Sequence, residues 1–295
     1  MDEKLESTAC LGPRRLVHRR PSLQLSVYSI CTMVTRWEEY ATSRASFEEG
    51  GFHSTDCEYL TIDNSNSNAT DAYVSINEFL QTAAGTYIIV VHQDVVLLDH
   101  GRAKLDTILA ELSLADPRWG VCGNAGHYAD GWPAICISHP YKERHIAGGP
   151  FPARVVSLDE NFMIIRRVAN LAVSADLTGF HHYGADLCLV ADILGWTAYV
   201  IKFFLRHNSG GTLDTSYYKS EIAISSKYRR ALRPRWMHLI TRRSFFISGR
   251  PIETLIARCT RYLGKVLGFV PRHSHLDDER RLARREKIRH SNKAP

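Results

Sequence analysis

The sequence predicts an α/β protein built around a largely parallel β-sheet, and three observations support this prediction. An unbroken apolar run at 87–91 is rich in β-branched residues, which is typical of a strand buried on both faces. Segments with strand-like and helix-like patterns alternate along the first half of the chain. Clusters of Gly, Asn, Asp and Ser, which favour turns and helix ends, separate these segments.

The order strand, helix, strand, helix, strand indicates parallel strands joined by right-handed crossovers, which form half of a Rossmann-like nucleotide-binding sheet. Strands are predicted at 23–31, with 32–36 as an exit loop, and at 57–62, 87–91, 119–123 and 197–205. Helices are predicted at 37–49, 71–84, 104–114 and 187–194, the last with Asp186 as its N-cap, and a helical segment is predicted to begin at 170–175.

Two segments depart from this rhythm. Residues 124–152 are predicted to be a long loop that acts as a lid or faces a substrate, and the histidines in it match no familiar metal-ligand spacing. Residues 154–167 contain two apolar stretches around the acidic pair Asp159 and Glu160.

Charge divides the 295 residues into parts of opposite sign. Residues 217–295 contain 20 Lys and Arg against 6 Asp and Glu, a net charge of +14, so the total of +6 leaves −8 for residues 1–216. We therefore expect a flexible lead at 1–21, an α/β domain at 22–216 and a basic, mainly helical region at 217–295.

The seven scattered cysteines include no CxxC pair, and several lie in apolar runs, which favours buried thiols in a reducing cytoplasm. No segment has about 18 to 20 uninterrupted apolar residues, the length that a helix needs to cross a bilayer.

The C-terminal region contains a basic amphipathic helix at 251–269. Such a helix either lies peripherally on an anionic membrane surface, which for a cytoplasmic protein is the inner face of the membrane, or packs its apolar side onto the preceding domain. Residues 277–293 are charged throughout and are predicted to form a solvated helix or tail. No nucleic-acid recognition motif accompanies the positive charge, so nucleic acid is not an expected partner.

Asp94 follows the strand at 87–91, and open α/β sheets bind ligands at the carboxyl ends of their strands. The position suits a carboxylate that holds a metal-bound phosphate, although an Asp that caps a turn would have the same local sequence.

In its ordered set of motifs the chain resembles the family 2 glycosyltransferases with the A-type fold, in the branch whose metal motif reads HQDV. The resemblance covers about 23–212. Its landmarks are SICTMVTRWEEY, LTIDNSNS, YIIVVHQDVVLLD, WGVCGNAG, VVSLDENFMIIRR, FHHYGADLCL with GWTAYV, and FLRHNSGG.

The resemblance implies an inverting enzyme that transfers a sugar from a nucleotide-sugar donor to an acceptor hydroxyl with Mn²⁺ or Mg²⁺. Asp94 matches the last acidic position of the family's DxD motif, and His207 matches a late histidine that helps to close the metal site. Asp63 matches the residue that pairs with the nucleotide base, and Thr32 matches a position lining the same pocket. The resemblance also suggests a cell-surface polysaccharide or a lipid-linked glycan as acceptor.

Inversion by single displacement requires a carboxylate that takes the acceptor's proton. The family's usual base position corresponds to Gly184, whereas the following acid is retained as Asp186. We favour Asp186 as the catalytic base; the alternative is that it only caps a helix and another acid such as Asp159 acts. The altered motifs leave two other functions open: a non-catalytic binder of nucleotide-sugars or glycans, and a nucleotidyltransferase.

Overall fold

The structure is a computed structural model that describes residues 26–210, 214–238 and 244–267. The predicted lead at 1–21 and the charged segment at 277–293 lie outside the described residues. Two compact units divide between Ile224 and Ser225, whereas the sequence places the boundary at 216.

The described residues form fifteen β-strands, and the strand predictions at 57–62, 87–91 and 119–123 are confirmed within one residue. The strands are β1 (Tyr28–Val34), β2 (Cys57–Asp63), β3 (Tyr87–Val91), β4 (Val95–Leu97), β5 (Trp119–Gly123), β6 (Ala125–His127), β7 (Pro133–His139), β8 (Lys142–Ala147), β9 (Ala153–Val155), β10 (Ser157–Leu158), β11 (Phe162–Arg166), β12 (Thr197–Val200), β13 (Leu205–His207), β14 (Arg235–His238) and β15 (Ser244–Ile247).

Six α-helices are present in the described ranges, and the helix predictions at 37–49, 71–84 and 104–114 are confirmed. Asp71 caps the second helix, where its carboxylate accepts a hydrogen bond from the N–H of Val74. The helices are α1 (Trp37–Glu49), α2 (Ala72–Thr82), α3 (Arg102–Ala115), α4 (Tyr183–Ile193), α5 (Thr215–Ala231) and α6 (Pro251–Val266).

The fold is α/β, with a seven-stranded main sheet in the order β2-β1-β3-β11-β5-β12-β9. The predicted parallel half is confirmed, because β1 pairs in parallel with both β2 and β3. β11 then inserts antiparallel between β3 and β5, so the sheet as a whole is mixed. The aromatic and aliphatic side chains of β1, β3, β5 and β11 form much of the buried core. This arrangement brings the carboxyl ends of β1, β2 and β3 to one edge.

A second sheet occupies the segment that the sequence predicts as a loop. β6, β7 and β8 pair antiparallel within 124–152, so the loop prediction is wrong. In β7, Pro133 and Ile135 are half-buried, whereas Ala134, Cys136 and Ile137 are buried in the core. β13 joins this sheet by pairing with β7 and β4. The glycines and prolines lie largely in its turns, which explains why the composition looked loop-like.

Two further sequence predictions are wrong. Residues 170–175 are not helical, because the Asn77 side chain bonds both the N–H and the C=O of Val173 and holds the segment extended along α2. The strand predicted at 197–205 is split after Val200, and the chain crosses from the main sheet to the second sheet before β13 begins.

The second compact unit contains an antiparallel hairpin of β14 and β15, followed by α6. The predicted helix at 251–269 is thus confirmed for 251–266, while the hairpin was not predicted. Five of the six cysteines in the described ranges are buried and free, and Cys259 on α6 is free and exposed. Among the described helices, none combines the length and the apolar character needed to cross a bilayer.

Candidate active site

A cleft of about 240 Å³ lies at the carboxyl ends of β1, β2 and β3. This is the edge at which open α/β sheets bind ligands. Residues from the ends of these strands, from the loop before α4 and from the end of β13 line the cleft. They are Met33, Thr35, Arg36, Asn64, Asn68, Val91, His92, Gln93, Asp94, Phe180, Tyr183 and Ser209.

Asp94 and His207 meet in this cleft. β4 begins directly after Asp94 and pairs antiparallel with β13, which puts His207 in register with Val95. The backbone N–H of Asn208 donates to the C=O of Asp94, and His207 Nε2 lies 3.3 Å from Asp94 Oδ1. The strand pairing therefore fixes the juxtaposition that the resemblance implies.

His92 is the third member of the cluster. Its Nδ1 lies 3.3 Å from His207 Nε2, and potential ligand atoms of His92, Asp94 and His207 all lie within 4.8 Å of one another. Across 26–210, 214–238 and 244–267, no other group of three His, Cys, Asp or Glu residues meets this condition. The sequence places His92 in the HQDV motif but does not assign it as a ligand. The signal that could have identified it is its position two residues before Asp94, where the DxD motif has its first acid.

The environment of the cluster suits cation binding. Burial, followed by the neighbouring His207, lowers the pKa of His92, which favours the neutral imidazole that binds metals. Burial opposes ionisation of Asp94, but hydrogen bonds from His207 and Ser209 outweigh it and lower the pKa of Asp94. His92 Nε2 lies 2.9 Å from the buried Tyr183 hydroxyl, an outer contact of the kind that orients metal-binding histidines.

Gln93, between His92 and Asp94, has a structural task. Its Oε1 accepts hydrogen bonds from the N–H groups of Thr35 and Arg36 at 2.8 and 2.9 Å. Its Nε2 donates to Thr35 Oγ1 at 2.8 Å. Gln93 thus fixes the turn between β1 and α1 against the end of β3, and this turn forms one wall of the cleft.

Asp63 and Thr32, the two residues predicted to contact the nucleotide base or line its pocket, differ in exposure. Asp63 is exposed at the end of β2, where its Oδ1 accepts hydrogen bonds from Ser65, and the Ser65 hydroxyl is the main cause of the lowered pKa of Asp63. Thr32, in contrast, lies inside β1 and is 1% exposed, so the predicted exit loop at 32–36 is wrong for its first three residues. β1 continues to Val34, and Met33 and Thr35 line the cleft instead.

Asp186 lies away from solvent in the first turn of α4. Its carboxylate is 0% exposed and accepts hydrogen bonds from the N–H and the hydroxyl of Ser174, both at 2.7 Å. The N-cap of α4 is His182, in a left-handed conformation with φ of 66°, so the prediction that Asp186 is the N-cap is wrong. Asp186 ties α4 to the segment before it and is not among the residues that line the cleft.

Glu160 is the acid that approaches the position of Gly184. The turn between β10 and β11 carries it, and its Oε1 accepts a hydrogen bond from the Gly184 N–H at 3.1 Å. A Cβ atom at Gly184 would collide with the Leu158 carbonyl and lie 3.1 Å from Glu160 Cγ. Burial raises the pKa of Glu160 to about 8. Like Asp186, Glu160 is not among the residues that line the cleft, but the hydroxyl of the lining residue Tyr183 donates to the Glu160 carbonyl at 3.5 Å. No local signal distinguishes Glu160 from other acids in turns, so only the fold shows that it lies beside α4.

The neighbouring Asp159 is exposed, and its Oδ1 accepts hydrogen bonds from the backbone and side chain of Asn161. It therefore shapes the turn between β10 and β11 that presents Glu160.

No established family description matches the chain. A mannosyltransferase from Pyrobaculum calidifontis, solved with GDP-Man and Mn²⁺, aligns over 70% of this chain with 11% identity and a TM-score of 0.44, and the chain spans 65% of that protein. S. aureus TarS residues 1–349 with UDP-GlcNAc aligns over 68% of this chain and 66% of its own length, with 11% identity and a TM-score of 0.46.

A curated protein of Fuscovulum blasticum, named ATP synthase subunits region ORF 6, is much more similar in sequence. The alignment has 35% identity over 225 residues, and it covers 74% of this chain and 89% of that protein. The chain therefore belongs to the same family as ATP synthase subunits region ORF 6 of Fuscovulum blasticum.

Proposed function

We propose that the chain is a metal-dependent, inverting glycosyltransferase of the family 2 branch with an HQDV metal motif. The observation that carries the proposal is the convergence of His92, Asp94 and His207 in a cleft at the carboxyl ends of β1, β2 and β3. That edge of an α/β sheet is where nucleotides bind, and a cation there would meet the diphosphate of a nucleotide-sugar.

The three side chains fit a divalent cation. Two imidazoles and one carboxylate, of which the carboxylate is buried and its pKa lowered, provide a nitrogen and oxygen donor set. Mg²⁺ prefers oxygen ligands alone, whereas imidazole suits the transition metals, so the set favours Mn²⁺ over Mg²⁺. When bound, the cation supplies neutralising charge for the leaving diphosphate.

The walls of the cleft match the two ends of a nucleotide. Met33, Val91 and Phe180 provide apolar surface for a base, while the Arg36 side chain is exposed beside them. Asp63, at the tip of β2, is proposed to hydrogen-bond the base. The pocket-lining role expected for Thr32 is assigned to Thr35, since Thr32 is buried in the sheet.

Glu160 is proposed as the general base in place of Asp186. Its carboxylate takes the proton of the acceptor hydroxyl as the acceptor oxygen bonds to the anomeric carbon. The bond from that carbon to the diphosphate oxygen breaks, and the diphosphate leaves with the electron pair. A base with a pKa of about 8 is well matched to this step near neutral pH. Asp186 is a poorer candidate, because both of its oxygens are buried against Ser174.

The acceptor is proposed to be a glycan or a lipid-linked glycan, in the synthesis of cell-surface polysaccharide or glycolipid. A cytoplasmic location is proposed from the buried free thiols, which suit a reducing compartment.

The test is turnover of a panel of nucleotide-sugars with Mn²⁺ or Mg²⁺, read as release of nucleoside diphosphate. We expect metal-dependent release from one donor class, enhanced by acceptor glycans and lost in Asp94→Asn. Binding of a donor without turnover, with or without acceptor, would favour a non-catalytic binder. Release of pyrophosphate from a nucleoside triphosphate would favour a nucleotidyltransferase instead.

A further inference from the structure

Helix α6 presents its apolar face outward. Eight residues at helical spacing form a continuous apolar face, and every one of them is exposed; Ile252 is 66% and Tyr262 69% exposed. We call these residues the α6 apolar face. Its members are Ile252, Leu255, Ile256, Cys259, Tyr262, Leu263, Val266 and the C-cap Leu267.

The opposite, polar side of α6 contacts the β14–β15 hairpin and the turn that follows it. The Arg261 guanidinium lies over the Trp236 ring of β14, 4.6 Å from its centroid. Glu253 accepts a hydrogen bond from the Ser248 hydroxyl at 2.5 Å and forms an ion pair with Arg250. These contacts hold the helix in an orientation opposite to that of ordinary surface helices, which bury their apolar stripe.

The sequence that follows α6 is poor in large apolar residues. From 268 to the end, the sequence has five large aliphatic or aromatic residues (Phe269, Val270, Leu276, Leu282 and Ile288) among eight Lys and Arg. Their spacing does not repeat at three and four residues, so the sequence pattern predicts no second apolar helix face there.

The positive charge around α6 indicates what kind of surface the α6 apolar face would bind. Residues 217–295 have a net charge of +14, whereas residues 1–216 have −8. Arg258 is exposed on α6 itself, next to the apolar face in the helical projection. An apolar stripe bordered by cations complements a surface with hydrocarbon below and negative charge above, which is an anionic lipid membrane.

We propose that α6 binds the surface of an anionic membrane, with the α6 apolar face in the acyl region and its basic residues at the headgroups. The 16 residues of α6 extend about 24 Å, less than the roughly 30 Å of a bilayer core, so the helix lies in the interface and does not span it. This binding is independent of the proposed sugar transfer.

The experiment is flotation of the full-length chain with vesicles of phosphatidylcholine alone or mixed with phosphatidylglycerol. We expect the protein to float with the anionic vesicles, to float far less with neutral ones, and to be partly released by salt. The double variant Leu255→Glu/Leu263→Glu should lose flotation. Leu114→Glu on α3, where the parent residue is 85% exposed, is the matched control and should float like the parent.

Circular dichroism would check that each variant retains its helices, as expected for substitutions at exposed positions. Three results would overturn the proposal. They are no flotation of the parent protein, equal flotation of the double variant, and a lipid-free dimer that the double variant abolishes, since the last would make the face a contact between two copies.

Discussion

The backbone N–H of Gly184 donates a hydrogen bond to the carboxylate of Glu160, with 3.1 Å between the nitrogen and Oε1. A side chain at position 184 would occupy the space that Glu160 fills. The carboxylate that α4 lacks at position 184 is therefore supplied by Glu160, from the turn between β10 and β11. This exchange of position is the basis for assigning the base to Glu160.

Replacement of Glu160 by Gln should lower the rate of transfer by about 10²- to 10⁴-fold, the usual contribution of a general base. Glutamine keeps an oxygen that can accept the hydrogen bond from the Gly184 N–H, but its amide cannot take a proton from the acceptor hydroxyl. In the parent protein kcat/KM should rise with pH, reach half of its maximum near pH 8 and level off above that, because burial raises the pKa of Glu160 to about 8. The Gln variant should lose this rise. Steady-state kinetics across pH would measure both effects.

Asp186→Asn and Asp159→Asn are the controls for that assignment. Asp186→Asn should reduce the free energy of unfolding by about 1–3 kcal/mol, since it weakens the paired bonds to Ser174, while the folded fraction keeps its turnover number. Asp159→Asn should change the rate less than Glu160→Gln. If Asp186→Asn abolished turnover in a fully folded protein, the role given to Glu160 would be wrong.

Gly184→Ala should destabilise the protein by about 1–3 kcal/mol, the usual effect of an added methyl group in a packed site. The new Cβ would collide with the Leu158 carbonyl and press on Glu160 Cγ. Urea denaturation would measure the loss, and turnover should fall as well because Glu160 is displaced. Gly249→Ala is the control, since its Cβ would meet no atom within 4 Å. Equal stability of the two variants would show that the space at Gly184 is not restrictive.

The strands and helices that the sequence predicts well are those whose pattern is local. Tyr87–Val91 is continuously apolar, and the helix at Trp37–Glu49 ends at a pair of glycines, so both could be placed without tertiary information. The sheet within 124–152 could not, because its strands are short, rich in turn residues, and defined by their pairing with one another.

The candidate site shows the same limit. Asp94 and His207 could be paired only through the resemblance, since the contact depends on the register of β4 against β13. His92 stands in the HQDV motif, but its assignment as a ligand depends on its proximity to Asp94 and His207, which only the fold shows. Asp186 was favoured because it stands beside the usual base position in sequence, whereas the fold buries it against Ser174.

The metal cluster predicts a matched set of binding losses. His92→Ala, Asp94→Asn and His207→Ala should each weaken Mn²⁺ binding by more than about 100-fold, since even outer contacts of metal ligands contribute about 10- to 100-fold. Isothermal titration calorimetry would measure the affinities. His145→Ala is the control, because His145 lies on β8 outside the cluster, with its Nδ1 3.1 Å from His139 Nε2 on β7. Unchanged affinity in His92→Ala would leave a two-ligand site and remove His92 from the cluster.

Glu160 also predicts how stability depends on pH. Burial raises its pKa to about 8 in the folded state, against an ordinary value of 4.5 that applies to the unfolded chain. Between these pH values the folded protein holds a proton that the unfolded chain has released. The stabilisation from this group is therefore complete below about 4.5, is lost as pH rises to about 8, and changes no further above that.

Glu160→Gln removes this dependence, because its amide does not titrate. The free energy of unfolding of the variant, relative to the parent, should increase by about 1–3 kcal/mol between pH 5.5 and 8.5, given about 1.4 kcal/mol for each pKa unit. Urea denaturation of both proteins at the two pH values would measure this difference, and Asp159→Asn should not reproduce it. A parallel fall in the two stabilities with pH would mean that Glu160 is ionised in the folded protein, which would remove the physical reason for its strength as a base.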